Sequence, residues 1–366
     1  MNSSRRDFLR RSAAAAAVLG GGGLLAACGD DDGGTASTGE PATPTSATDE
    51  SSSTTAAEQL SLTAMMPFPL SVNFIADVIA IEGGFFEEAG VDVDLQFAQG
   101  APQALQQLAA GNVTVIRNGP VETVQAIVNE DAPFITIGMP NQRTNYVLAS
   151  MPGNSLGFTD LAGKTVGLPT LGANAEFTFD ILLREAGVDP TTVQRQAVGL
   201  EASAFGSLEG GVVEALFVVR STVAAIRAQG QELEVDFLED VNPLLGTNLV
   251  TTTAFAEERR DAIVAYLAGL HAAMLAINDE DQLPELIEKV NASDWELPQL
   301  EDPEAATSII ASVASRWFED GEDNLLRNIP ERWESGLAEL VDQGLVPEGT
   351  NAEDLYTNDL LDEAVS

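Results

Sequence analysis

One cysteine and one histidine occur among 366 residues. With Cys28 alone there is no intramolecular disulfide and no cysteine cluster for a metal. His271 as the only histidine argues against a histidine-rich metal site and against a histidine-based triad. It sits in the apolar run Ala268-Gly269-Leu270-His271-Ala272-Ala273-Met274, which reads as a helix face turned to the core. Positive charge is the next shortage, with 17 Lys and Arg against 57 Asp and Glu and a formal net charge of −40. A chain of that sign is repelled by a phosphate backbone, which excludes nucleic-acid binding. It also favours a soluble monomer. Catalysis through a cysteine or histidine nucleophile is likewise disfavoured, so no catalytic residue, metal site or cofactor is assigned. Tryptophan is rare too: Trp295, Trp317 and Trp333 all fall in the last quarter of the chain, where they are expected to pack.

The N-terminus carries the clearest pattern. Ser4-Arg5-Arg6-Asp7-Phe8-Leu9-Arg10 precedes an Ala/Gly/Leu stretch ending in Leu25-Ala26-Ala27-Cys28. A basic start, apolar middle and small-residue exit make an export signal. The stretch is shorter than the ~20 apolar residues of a permanent span and is interrupted by Gly20 to Gly23. The paired arginines resemble the twin-arginine export motif, and the last four residues resemble a lipobox. That resemblance implies a lipid on Cys28 and an extracytoplasmic, membrane-anchored protein. Residues 1–28 are thus expected to be a signal. Residues 29–58, rich in Asp, Ser, Thr, Gly and Pro, are expected to be a disordered linker.

From Leu60 onward strands alternate with helices. Strands are expected at Leu60 to Met66, Val91 to Phe97, Val113 to Arg117 and Phe134 to Gly138, with helices between them. The pattern restarts with strands at Thr165 to Leu168, Val193 to Val198 and Glu214 to Val219. Such alternation argues for parallel sheets covered by helices, an α/β fold of two doubly wound lobes. The extended segments Tyr146 to Ser150 and Asn248 to Thr252 read as two hinge crossovers. Lobe 1 is then 59–150 plus 251–366, and lobe 2 is 151–250. A helical C-terminal region follows, with helices at Ala254 to Ile277, Asp281 to Asn291, Pro303 to Phe318 and Asn324 to Gln343.

Several stretches resemble one family. Gly84-Phe85-Phe86-Glu87-Glu88-Ala89-Gly90-Val91-Asp92-Val93, Leu108-Ala109-Ala110-Gly111-Asn112-Val113, Asp160-Leu161-Ala162-Gly163-Lys164-Thr165-Val166-Gly167 and Gly187-Val188-Asp189-Pro190 are similar to signatures of ABC-importer solute-binding proteins. The branch is that of nitrate, sulfonate, taurine and thiamine-pyrimidine precursors, with the type 2 periplasmic-binding fold. Two departures are Thr114 and Glu214, where the family usually has Asp. The resemblance implies two lobes closing on a small molecule, and delivery to a membrane permease with a cytoplasmic ATPase.

In open parallel sheets ligands sit beyond the carboxyl ends of strands. That places Phe68, Asn73, Gln99, Arg117, Asn118, Gly119 and Arg143 of lobe 1, and Gly172, Ala173, Asn174 and Arg220 of lobe 2, at the ligand. The three arginines offer forked donors to an anion; equally, each could pair with an acid such as Glu122 or Glu176. The glycine turns could give main-chain donors or simply cap helices, and Phe68 could stack on a ligand or line the core. The expected function is capture of a small anionic solute, sulfonate, nitrate or carboxylate-like. The alternative is a neutral heterocycle such as a thiamine-pyrimidine precursor, or a synthase-like enzyme making that pyrimidine. If the paired arginines direct export, Arg5→Lys with Arg6→Lys retains the precursor inside the cell; fractionation of the two forms reads this out.

Overall fold

The computed structural model describes residues 60–172, 174–236 and 244–366, all within the unit Ala57–Ser366. Cys28, the paired arginines and the 29–58 segment lie outside the described residues, as does Ala173. The first half runs β1 (Leu60–Met66), α1 (Ile75–Glu82), α2 (Phe85–Glu88), β2 (Val91–Phe97), α3 (Ala101–Ala109), β3 (Val115–Asn118), α4 (Pro120–Asn129) and β4 (Phe134–Gly138). Next come β5 (Tyr146–Ser150), β6 (Thr165–Leu168), α5 (Asn174–Glu185), β7 (Gln194–Ala197), α6 (Phe205–Glu209), β8 (Ala215–Val219), α7 (Arg220–Ala228), β9 (Glu234–Asp236) and β10 (Asn248–Thr252). The chain ends in helices: α8 (Thr253–Glu258), α9 (Arg260–Asn278), α10 (Leu283–Asn291), α11 (Pro303–Ala314), α12 (Pro330–Asp342) and α13 (Asp359–Ala364).

The strands form two five-stranded sheets, ordered β2-β1-β3-β10-β4 and β7-β6-β8-β5-β9. β1 pairs in parallel with β2 and β3, and β6 with β7 and β8. The two extended crossover segments are central strands, each in the sheet of the other half. β5 runs antiparallel between β8 and β9, and β10 antiparallel between β3 and β4. Tyr146 to Ser150, expected at the end of lobe 1, is therefore hydrogen-bonded in the second sheet. Both inserted strands are fully buried, and their continuous apolar or small-residue character fits covering on both faces.

The helical tail serves both sheets. α9 is apolar enough and long enough to cross a membrane. Here it fills the core beside α1 and β1, where Tyr266 stacks on Phe86. α11 packs along α7 of the second sheet. Trp333 on α12 is fully buried in the cluster that holds Phe179 and Phe217. Trp317 is also buried, while Trp295 is half-buried and donates its indole N–H to Glu82 at 2.8 Å. His271 is half-buried on α9, and burial lowers its pKa.

Three helix ends differ from the expectation, the one expected to run to Phe318 stopping at Ala314. The helix expected from Ala254 breaks at Arg259, which leaves helical dihedrals and separates α8 from α9. The helix expected from Asn324 begins only at Pro330. A proline has no N–H to give and pushes its predecessor out of the helical region. Residues before it instead seal the end of β4: Leu326, at φ +62°, accepts through its carbonyl from Met139 N–H at 2.8 Å.

Between β4 and β5, and again just before β10, the two crossovers touch. Arg143 and Leu245 form an antiparallel bridge, and Gly246 N–H donates to the Gln142 carbonyl at 3.2 Å. A Cβ on residue 246 would stand 2.0 Å from the Asn141 carbonyl oxygen and 2.6 Å from that of Arg143. Both obstacles are backbone, so neither can rotate away. Gly246→Ala is expected to cost about 1–3 kcal/mol of stability, seen as a lowered midpoint in thermal melting. Gly153→Ala, where nothing approaches the new methyl but φ is positive, isolates backbone strain as a comparison.

Candidate functional site

The carboxyl ends of β3 and β6 meet across the two sheets. β3 ends at Asn118, and Gly119 caps α4. Beyond β6 the chain turns through Thr170 and Gly172 into α5, which starts at Asn174. A Cβ on Gly119 would lie 2.7 Å from both Asn174 Cγ and Glu122 Oε2, so the missing side chain at 119 lets these groups converge. Of the residues singled out in sequence, this junction unites Asn118, Gly119 and Asn174. Gly172 is exposed in the same turn, at φ +72°, and donates its N–H to Glu176 at 2.6 Å.

The junction gathers five buried side-chain oxygens. The side-chain oxygens Asn118 Oδ1, Thr170 Oγ1, Asn174 Oδ1 and both carboxyl oxygens of Glu122 are sealed from solvent without a well-formed hydrogen bond, although the backbone N–H groups of Glu122 and Asn174 lie close to the carboxyl and the Asn174 side chain close to Tyr146. Buried polar atoms are nearly always paired, so a cluster of five such atoms marks a place built for something else to fill. Burial pushes the Glu122 carboxyl up to about 7, against the opposing pull of the backbone N–H groups of Glu122 and Asn174. Tyr146, at the start of β5, is raised by burial first and by the Glu122 charge second. Thr123 holds the frame, accepting from Asn118 Nδ2 at 3.2 Å and donating to the Gly119 carbonyl at 2.8 Å. Glu122 entered the sequence reading only as a possible arginine partner, and neither Thr170 nor Tyr146 was singled out as a ligand contact. An acid in a first helical turn looks like an ordinary dipole partner, and nothing in sequence shows that its oxygens are enclosed.

The arginines are placed differently. Arg117 is buried. Its guanidinium lies 3.7 Å from Asp77 and 5.7 Å above the Phe74 ring, and donates to the Asn73 carbonyl at 3.2 Å. Asp77 is itself buried and accepts from the Tyr266 hydroxyl at 2.7 Å. Desolvation raises the acid and lowers the arginine, each partly offset by the other's charge. Arg143 binds Glu319 at 2.6 Å and approaches Asp320 at 3.7 Å. Arg316 and Arg332 bring further positive charge to that acidic pair. Internal acids thus engage both Arg117 and Arg143, but the partners are Asp77, Glu319 and Asp320. Glu176 pairs with Arg195. Arg220 opens α7, and Ser221 next to it donates to Asn73 Oδ1 at 2.8 Å, linking the two sheets.

Phe68 and Gln99 stand apart from this junction. Phe68 is half-buried against the core around β1 and α1. Gln99 is exposed before α3, its backbone N–H held by Gln103 Oε1 at 2.7 Å. Among the described residues no group of three or more His, Cys, Asp or Glu side chains converges as metal ligands do.

With this geometry in view, similarity to known proteins can be placed. The fold matches the alkanesulfonate-binding protein SsuA from Xanthomonas axonopodis pv. citri, solved with MOPS, at a TM-score of 0.58 and 16% identity, covering 82% of this chain and 99% of that one. It also matches the nitrate-binding protein NrtA from Synechocystis PCC 6803 at 0.57 and 12% identity, covering 84% and 89%. These likenesses establish a mixed α/β periplasmic-binding fold with two sheets. In sequence, the formylaminopyrimidine-binding protein of Halalkalibacterium halodurans is 24% identical over 196 residues. That match takes in 51% of this chain and 57% of the relative, a little over half of each. Residues 71–282, more than half the chain and including the whole β3–α4 and β6–α5 junction, match the NMT1/THI5-like family model. The chain belongs to the NMT1/THI5-like family.

Proposed function

We propose that this chain is the solute-binding component of an ABC importer, working outside the cytoplasmic membrane and held there by a lipid on Cys28. It takes a small solute between its two sheets and presents the closed form to a membrane permease with a cytoplasmic ATPase. It performs no turnover of its own. The acceptor cluster at Asn118, Glu122, Thr170 and Asn174 carries the reading of the site. Oxygen atoms without well-formed hydrogen bonds call for a ligand that brings N–H or O–H groups. When ionised, the Glu122 carboxylate among them also repels a sulfonate, nitrate or carboxylate.

We therefore favour the neutral heterocycle over the anion expected from the arginines, two of which are engaged by internal acids. An aminopyrimidine offers a ring nitrogen to a protonated carboxyl and an amino group to a carbonyl-type oxygen. A carboxyl with a pKa of about 7 can take either form at neutral pH. The binding specificity of the Halalkalibacterium halodurans relative supports the same class of ligand. Closure is then favoured by whatever contacts the ligand makes with both sheets at once.

Calorimetry with the purified protein separates the classes: aminopyrimidines bind, and alkanesulfonates and nitrate bind at least about 100-fold more weakly. Glu122→Gln lowers aminopyrimidine affinity by roughly 10- to 100-fold. Tighter binding of a sulfonate or nitrate, or an unchanged affinity in this variant, overturns the reading.

The same variant has a stability signature without ligand. Because the folded-state pKa of Glu122 lies above the ordinary glutamate value of 4.5, folding retains a proton that the unfolded chain has lost. Its contribution is present in full below about pH 4.5 and is lost as pH rises through about 7. Relative to wild type, Glu122→Gln gains stability between pH 5 and pH 8, by up to about 3 kcal/mol. Melting curves across that range measure the difference.

A further inference from the structure

Two short polar side chains sit where helices begin, and neither serves its own helix. Asn73 lies in the single turn Val72–Phe74 that follows β1 and leads into α1. Ser221 is the second residue of α7, which follows β8. At helix starts Asn and Ser ordinarily bond nearby backbone and satisfy free N–H groups of the first turn. Here α1 and α7 both begin without a side-chain cap. The Ser221 hydroxyl instead crosses from the half built on the second sheet to the half built on the first, and donates to Asn73 Oδ1 at 2.8 Å.

The bond is shielded and its acceptor is held in place. Ser221 is buried and Asn73 half-buried, and a hydrogen bond away from bulk water is the stronger for it. Asn73 Nδ2 donates to Ser71 Oγ at 3.4 Å, and the Asn73 carbonyl accepts from Arg117 Nη1 at 3.2 Å. Arg117 is in turn fixed by Asp77 and by the face of Phe74. Its other terminal nitrogen reaches Thr247 Oγ1, at 3.5 Å, on the crossover that leads into β10. The acceptor thus belongs to a frame fixed on the first sheet, while its donor rides on the second. Each link joins protein to protein, so none depends on what occupies the junction at Glu122.

We propose that Asn73 and Ser221 are positioning residues for solute capture, forming a latch between the two lobes that favours the closed form by the same factor whatever the solute. This rests on the closing-lobe reading above and not on the aminopyrimidine. Asn73, expected from its place at a strand end to touch the ligand, acts instead through the opposite lobe. The latch keeps part of the solute-free population closed, so solute completes a closure that the chain has already begun. A solute that needs both lobes gains affinity in proportion to that closed fraction.

The test is small-angle X-ray scattering of the full-length protein free of solute, with each profile resolved into closed and open forms. Ser221→Ala and Asn73→Ala are each expected to lower the closed-to-open ratio by about 2- to 10-fold. The double variant is expected to be no more open than either single one, because the two side chains share one interaction. Asn73→Asp keeps an oxygen for the Ser221 hydroxyl and is expected to be at least as closed as wild type. Damage to packing alone would add in the double variant and would not be rescued by the aspartate. A wild-type ratio in Ser221→Ala, additive opening in the double variant, or an Asn73→Asp protein as open as Asn73→Ala each overturns the latch. Calorimetry with the solute panel is read separately. Aminopyrimidine binding beside unchanged scattering of Ser221→Ala removes the latch alone, and the expected scattering in a protein that prefers a sulfonate removes the aminopyrimidine alone.

Discussion

The arrangement depends on a backbone crossing. Two segments must pass between the sheets, and each then becomes an antiparallel strand buried in the sheet it enters. They touch at Gly246, where the carbonyls of Asn141 and Arg143 leave no room for a side chain. Everything polar between the sheets is referenced to this contact. Arg316 donates to the Thr144 carbonyl on one crossover, Arg117 reaches Thr247 on the other, and Tyr146 begins the strand that leaves it.

The space between the sheets is divided by polarity. On the Gly119–Asn174 side the walls offer oxygens, and on the Arg117–Arg220 side they offer N–H groups. A strongly acidic chain achieves this by keeping its few interior cations in one region and backing them with Asp77 and Glu319. Buried charges without partners are expensive, so each arginine with an acid behind it is a cation whose desolvation is partly offset.

Much of the fold was legible in the sequence. The strand–helix alternation of residues 60–219 and the strand-end rule brought Asn118, Gly119 and Asn174 to a common junction, because both depend on local periodicity. The antiparallel insertion of β5 and β10 was not legible: their apolar runs suit any central strand, and direction leaves no trace in composition. Pro330 was a readable stop that the longer apolar pattern concealed. The arginines were picked as ligand contacts from their places at strand ends, but the acids that engage two of them come from far along the chain: Arg143 meets Glu319, and Arg117 meets Asp77 on a different element. Enclosure of the Glu122 carboxyl is a three-dimensional property, invisible until Gly119 and Asn174 are seen to converge.

The placement of β10 has a consequence for how the protein is made. The gap between β3 and β4 is filled by residues 248–252, more than 100 residues downstream of β4. During synthesis the first sheet stays split down its middle until the second half has been produced. The two halves therefore cannot mature one after the other as independent beads. Long-range pairing of this kind is slow and leaves strand edges unprotected meanwhile. A chain cut before residue 248 holds all five strands of the second sheet beside a first sheet that still lacks β10 between β3 and β4, so the half made first is the half finished last.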